Sequence, residues 1–113
     1  MTDCIFCRIL QREIPAKIVF EDETALAFED IRPEAPVHIL VIPKRHVASL
    51  AEVTAADEGL VGHLLAIAAN LARERKLEAG YRAVINNGAG AGQTVFHLHA
   101  HLLGGRAFHW PPG

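Results

Sequence analysis

The chain has 113 residues, half of them hydrophobic and 21% charged, a globular composition that allows one domain with a real core and leaves no room for a second. The formal charge is −2 with neutral histidines and no Lys/Arg block stands out, which argues against a nucleic-acid partner. No apolar run approaches a membrane span, and the polar start interrupted by Pro15 does not read as a signal peptide, so a cytoplasmic protein with no membrane partner is expected.

Residues 4–12 mix apolar and basic side chains and predict a short helix, stopped by Pro15. Residues 17–21 are β-rich, 22–24 read as a turn, and 25–30 alternate with a period of two, so a hairpin is expected. Two prolines make 31–36 a loop, and 38–42 form a strong strand closed by Pro43. A short helix is expected over 46–53. Thr54 then reads as an N-cap, with Asp57 three residues on. Leu60, Leu64, Ile67, Ala68 and Leu71 recur at helical spacing and predict one long helix over 55–79, with Gly80 as its stop. His63 falls off its apolar stripe and is expected in solvent. Residues 82–86 predict a fourth strand, 88–92 a glycine loop and 95–103 a fifth strand, broken by Gly104-Gly105. Five hairpin-joined strands with one inserted helix predict an α+β fold built on an antiparallel sheet.

In the segment from Phe96 to Leu103 every second residue is histidine: His97, His99 and His101. On a strand such residues share one face, roughly 6–7 Å apart, and Phe96, Leu98, Ala100 and Leu102 would pack on the other. Three imidazoles at that spacing suit work around one phosphate or one metal. A half-polar strand without chemistry is one alternative, and strict alternation beside a glycine loop argues against it. A zinc hydrolase is another, since His-x-His can present two ligands, but no carboxylate stands near this segment to serve as base. Covalent catalysis needs only the histidines, because a neutral imidazole attacks phosphorus well at physiological pH. The seven histidines also leave His109, beside Trp110, with no catalytic role.

Cys4 and Cys7 form a C-x-x-C, too close for a secreted disulfide framework. The pair can supply two zinc ligands, or it can be two reduced cysteines in a short helix; a redox pair lacks its usual thioredoxin-like surroundings. The run Gly88-Ala89-Gly90-Ala91-Gly92 allows close backbone approach to an anion, although it lacks the terminal lysine of a P-loop and also suits a plain turn.

The run His97-Leu98-His99-Ala100-His101-Leu102-Leu103 resembles the motif of the HIT (histidine triad) family, three histidines separated by apolar residues. The likeness extends over nearly the whole chain and is greatest to the HINT branch, the purine nucleoside phosphoramidases. Glu13-Ile14-Pro15-Ala16-Lys17, Leu40-Val41-Ile42-Pro43-Lys44, Gly80-Tyr81-Arg82, Gly104-Gly105-Arg106 and the tail His109-Trp110-Pro111-Pro112-Gly113 carry it. The resemblance implies that His99 is the nucleophile, carrying the nucleotide as a covalent intermediate. It implies that His101 contacts the phosphate and helps protonate the leaving group, and that His97 and His38 orient and polarise the nucleophile. Asp30 would hold the ribose hydroxyls. Ile5, Phe6, Ile9, Phe28 and Ile31 would wall a purine pocket, and Asn86, Gly92 and Thr94 would hold ribose and phosphate. It further implies a structural zinc on Cys4, Cys7, His46 and His97, not needed for the chemistry. A homodimer with a ten-stranded sheet is also implied, the Trp110 tail reaching toward the partner's site. The expected activity is that of an adenosine 5′-monophosphoramidase on AMP- or GMP-type substrates. A dinucleoside polyphosphate hydrolase and a nucleotide-binding regulatory module are the alternatives, against which the HINT-like tail and the complete triad respectively argue.

Overall fold

The computed structural model describes residues 3–113. Five strands form one antiparallel sheet: β1 (Ile18–Glu21), β2 (Ala25–Glu29), β3 (Val37–Pro43), β4 (Tyr81–Val84) and β5 (Ala100–Gly104), in spatial order β1-β2-β3-β5-β4. Helix α1 (Ile5–Leu10) precedes the sheet and α2 (Glu58–Glu74) lies between β3 and β4. No helix among the described residues is long and apolar enough to cross a membrane.

The first hairpin forms where the period-two pattern predicts it. Its turn is tied by Asp22, whose Oδ1 accepts from the N–H groups of Thr24 at 2.9 Å and Ala25 at 2.8 Å. The other carboxylate oxygen lies 2.6 Å from Nε2 of His63, so this histidine is not simply solvated: it ties α2 to the hairpin. β3 is the spine of the sheet, buried along nearly its whole length.

Alternation along the strands sorts side chains into two cores. Ala25, Ala27, Ile39, Val41, Leu98, Ala100 and Leu102 face α2, where Leu64, Ile67, Ala68 and Leu71 meet them. Alanines on the sheet side let the helix approach closely. On the opposite face Leu26, Phe28, Leu40 and Ile42 pack against Phe6 and Ile9 of α1.

Several boundaries depart from the sequence expectation. The predicted 46–53 helix is reduced to a 3-10 turn at Leu50–Glu52. Residues 55–57 form a second 3-10 turn, in which the Asp57 carboxylate accepts from the Thr54 N–H at 3.0 Å. α2 stops at Glu74, well before Gly80. Lys76 there takes up the left-handed region at φ 58°, its N–H reaching the Arg73 carbonyl, while the Leu77 N–H reaches that of Ala72. This is a Schellman closure made without glycine. α1 ends the same way on Arg12, at φ 63°. β4 spans 81–84 and not 82–86. The fifth strand begins only at Ala100, because its ladder with β3 runs from Val37↔Gly104 to Val41↔Ala100 and no further. Before it the chain is held by a Leu98 N–H bond to the Val47 carbonyl, and the alternation of sides persists without the ladder. Phe96 does not join the core and is 48% exposed.

A non-glycine residue in the left-handed region costs about 1 kcal/mol or more. Lys76→Gly is therefore expected to raise unfolding stability by about 1 kcal/mol, seen as a higher urea midpoint at unchanged slope. An unchanged or lower midpoint would show that the Lys76 side chain offsets its backbone strain.

Candidate active site

The strand register that builds the sheet also builds the site. His38 on β3 and His101 on β5 are diagonal neighbours two residues apart in register, and so on one face, since Leu40 pairs with His101 and His38 with Leu103. Both imidazoles lie on the face away from α2, with His97 and His99 following by alternation. Phe6 of α1 covers them, its ring centroid 5.1 Å from His99 and 5.9 Å from His97, and Phe28 lies 5.4 Å from Phe6. His97, His99 and His38 are all buried.

Buried neutral imidazole carries one proton, and a partner of known polarity on one nitrogen settles the other. The His97 carbonyl lies 2.7 Å from Nδ1 of His99. A carbonyl only accepts, so Nδ1 holds the proton and Nε2 is the lone-pair nitrogen. The backbone N–H of Glu34 donates to Nδ1 of His38 at 3.0 Å, so His38 carries its proton on Nε2. That Nε2–H faces Nδ1 of His101 at 2.9 Å. His101 must accept there and carry its own proton on Nε2. The site thus holds a nucleophilic nitrogen on His99 and a donor nitrogen on His101, their rings 4.9 Å apart. Asp30 Oδ2 lies 3.5 Å from His38 Nε2, and Asp30 Oδ1 accepts from the Arg32 N–H at 2.8 Å.

His97 points elsewhere. Its Nε2 lies 2.8 Å from the Pro43 carbonyl, which places the proton there and turns a bare Nδ1 into a cluster with Cys4, Cys7 and His46. Nδ1 of His97 lies 3.1 Å from Nδ1 of His46, 3.3 Å from Sγ of Cys4 and 3.5 Å from Sγ of Cys7; Sγ of Cys7 lies 3.3 Å from Nδ1 of His46. All four ligand atoms fall within 4.8 Å of one another. A tetrahedral zinc with bonds of about 2.0–2.3 Å sets its ligand atoms roughly 3.3–3.8 Å apart, so this cluster has the size and donor set for one. The carbonyl on the far nitrogen of His97 is the usual outer partner of a ligating histidine. Asp30, His38 and His101 also gather three potential ligands. There the centre of the group is taken by the His38 Nε2 proton, and the Glu34 N–H blocks the opposite tautomer.

A HIT domain family model matches residues 11–108. The chain belongs to the HIT family. It is 58% identical over 111 residues to an uncharacterized HIT-like protein of Synechococcus elongatus, covering 98% of this chain and 97% of that one. Among solved structures, a HIT family hydrolase from Legionella pneumophila superposes with a TM-score of 0.96 at 53% identity, covering 98% of this chain and 100% of that one. A histidine triad nucleotide-binding protein from Candida albicans superposes with a TM-score of 0.82 at 34% identity, covering 96% and 83% respectively.

Within this HIT fold the residues singled out from the sequence fall into three places. His38, His99, His101, Asp30, Phe6 and Phe28 come together at the histidine face. Ile9 lies in the same core, while Ile5 and Ile31 are exposed and outside it. Asn86 stands beside Gly92, its Nδ2 3.7 Å from where a Cβ on that glycine would lie, and Gly92 has φ +94°. Thr94 is exposed and shares a cavity with Cys4, Ile5 and His46. Two geometrical expectations change. His38 approaches His101 and not His99, and His97 reaches His99 through its backbone carbonyl and not its ring. Gln93, to which the sequence assigns no role, is buried and spans the glycine loop by accepting from the Gly88 N–H at 2.8 Å and donating to the Ala48 carbonyl at 2.8 Å.

Burial pushes all four imidazoles below the ordinary histidine range. For His38 the pull is opposed by Asp30 and Glu34, for His97 and His99 by the carbonyls they face. His101 falls furthest, to about 4, because burial is reinforced by the repulsion it would meet from His99 and His38 when the rings are protonated. A depressed imidazole binds fewer protons folded than unfolded once pH drops below about 6.5, so acid favours unfolding. The stability that His101 contributes is therefore full above pH 6.5 and is lost toward pH 4. Urea unfolding at pH 7 and pH 4.5 is expected to show wild type losing about 2 kcal/mol more than His101→Gln across that interval. Equal losses would mean that His101 does not stay neutral in the folded protein.

Proposed function

We propose that this protein hydrolyses purine nucleoside 5′-monophosphoramidates to the nucleoside monophosphate and an amine, through a nucleotidyl-histidine on His99. The observation that carries the reading is the 2.7 Å contact of the His97 carbonyl with His99 Nδ1, which leaves Nε2 as the attacking nitrogen of a neutral ring. In the first step Nε2 bonds to phosphorus while the P–N bond breaks. The amine leaves with that electron pair and is protonated from water, the His101 Nε2–H assisting by a hydrogen bond while the His38 Nε2–H holds the His101 ring. Water then attacks phosphorus, releases a proton to solvent and frees His99. The hydrolase and nucleotide-binding relatives support this chemistry. Asp30 would accept from ribose hydroxyls. Ile5, Phe6, Ile9, Phe28 and Ile31 would flank the purine, and Asn86, Gly92 and Thr94 the ribose and phosphate.

Mass spectrometry of protein quenched during turnover of an AMP–amine phosphoramidate is expected to show one AMP adduct on His99. His99→Gly should lose both the adduct and at least about a thousandfold in kcat. Turnover that survives in His99→Gly would sink the covalent route. A higher kcat/KM on diadenosine polyphosphates than on the phosphoramidate would assign the site to the alternative substrate class.

The same reading includes a structural zinc on Cys4, Cys7, His46 and His97, for which the converging bare nitrogen of His97 and the donor set are the support. Zinc there would supply a rigid tetrahedral anchor for the residues leading into β5, leaving His99 unligated. One zinc per chain is expected by elemental analysis, and stripping it should lower the melting temperature by more than about 5 °C. A metal-free preparation that melts with the loaded one would remove zinc from the account. A homodimer is also proposed: β4 is a sheet edge with Tyr81 42% exposed, ready to pair with a second copy. Sedimentation should return the dimeric mass.

A further inference from the structure

The donor role of His101 depends on a residue that touches neither it nor any reacting atom. The 33–36 loop enters β3 and presents two groups of one residue in opposite directions. The Glu34 N–H points inward to Nδ1 of His38, at 3.0 Å. The Glu34 carbonyl points outward and accepts from Nε of Arg106, also at 3.0 Å. Arg106 follows β5 by two residues, so the strand that carries His101 also sends back the side chain that holds this loop. The guanidinium is itself fixed, lying 4.3 Å over the Phe108 ring and donating to the Ala107 carbonyl at 3.1 Å. Next to it Gly105, at φ +88°, brings the backbone against Pro36, where an added Cβ would lie 2.9 Å from the Pro36 Cβ.

We propose that Arg106, acting through the two peptide groups of Glu34, is a positioning residue that fixes the proton pattern of His38 and thereby of His101. If the loop drifts, His38 Nδ1 loses its only-donating partner and can take the proton itself. Its Nε2 then offers a lone pair to His101 Nδ1, which must bear a proton to meet it. The proton leaves His101 Nε2, and the donor toward phosphate is gone. The chain of contacts is short: Arg106 to Glu34, Glu34 to His38, and His38 to His101 at 2.9 Å.

The test reads the protons directly. Long-range proton–nitrogen correlation spectra of full-length protein labelled with 15N-histidine need no substrate, so they do not depend on the proposed activity. In wild type at neutral pH, His38 and His101 should each show one pattern, protonated at Nε2. Arg106→Ala should move both toward a mixture of tautomers, and Arg106→Lys, which can still donate to the Glu34 carbonyl, should restore them. Arg106→Gln serves if the alanine variant fails to fold, and is expected to fall between. The kinetic arm rests on the phosphoramidase reading: Arg106→Ala should lower kcat about tenfold with KM within about twofold. A folded Arg106→Ala protein with wild-type nitrogen patterns at both histidines overturns the proposal, whatever its activity. Shifted patterns with undiminished turnover would overturn the link to catalysis. Shifted patterns in a protein with no phosphoramidase activity in any form would reject the functional reading and leave the positioning role intact.

Discussion

Burial of uncharged imidazole is the constraint on which this site rests. A ring that cannot hold a charge has one proton and one lone pair, and whatever binds one nitrogen determines what the other can do. Three main-chain groups make those choices. The carbonyl of His97 leaves the lone pair of His99 on Nε2, the N–H of Glu34 makes His38 a donor to His101, and the carbonyl of Pro43 turns the bare nitrogen of His97 toward the cysteines. Each is a neutral dipole already in place before any ligand arrives.

The fold supplies that burial economically. β3 is central and apolar, and covers are laid on both sides of it: α2 on one face, α1 with Phe6 and Ile9 on the other. The histidines occupy the second face, where alternation would otherwise place aliphatic side chains. Their neighbours are therefore hydrocarbon and aromatic rings, which disfavour protonation, and strand backbone, which cannot move away. His97 belongs to two structures at once. Its ring joins the Cys4, Cys7 and His46 cluster while its carbonyl holds the His99 ring, so the anchoring of the first half of the triad and the orientation of its centre share one residue.

Legibility in the sequence tracked how local the cause was. The hairpin is readable from the period-two alternation of 25–30 and the turn at 22–24, and β3 from its apolar run closed by Pro43, all properties of neighbouring residues. The capping box ahead of α2 is readable because Thr54 and Asp57 close on each other within one turn, but that turn is 3-10 and α2 itself begins only at Glu58. Its end is not readable, because Lys76 adopts a conformation usually given to glycine and packing around Leu77 holds it there. The onset of β5 was not readable either. Residues 95–99 have strand composition, but a ladder needs a partner, and β3 stops offering one beyond Val41. Nothing local to His63 marks its partner, because Asp22 lies 41 residues away in the chain.

The division is similar at the site. Alternation by itself determined that His97, His99 and His101 share a side, and the C-x-x-C by itself made two thiols neighbours. The family resemblance carried by the chain's dispersed motifs singled out His38, Asp30 and His46 alongside them. Only the tertiary structure decided which nitrogen of each ring carries the proton, that His38 serves His101, that His97 faces the thiols, and that Arg106 stands behind Glu34. The reason is physical. Those decisions are made by peptide groups, which every residue possesses and no sequence pattern marks, and by contacts between segments whose separation is set only when the sheet closes around them.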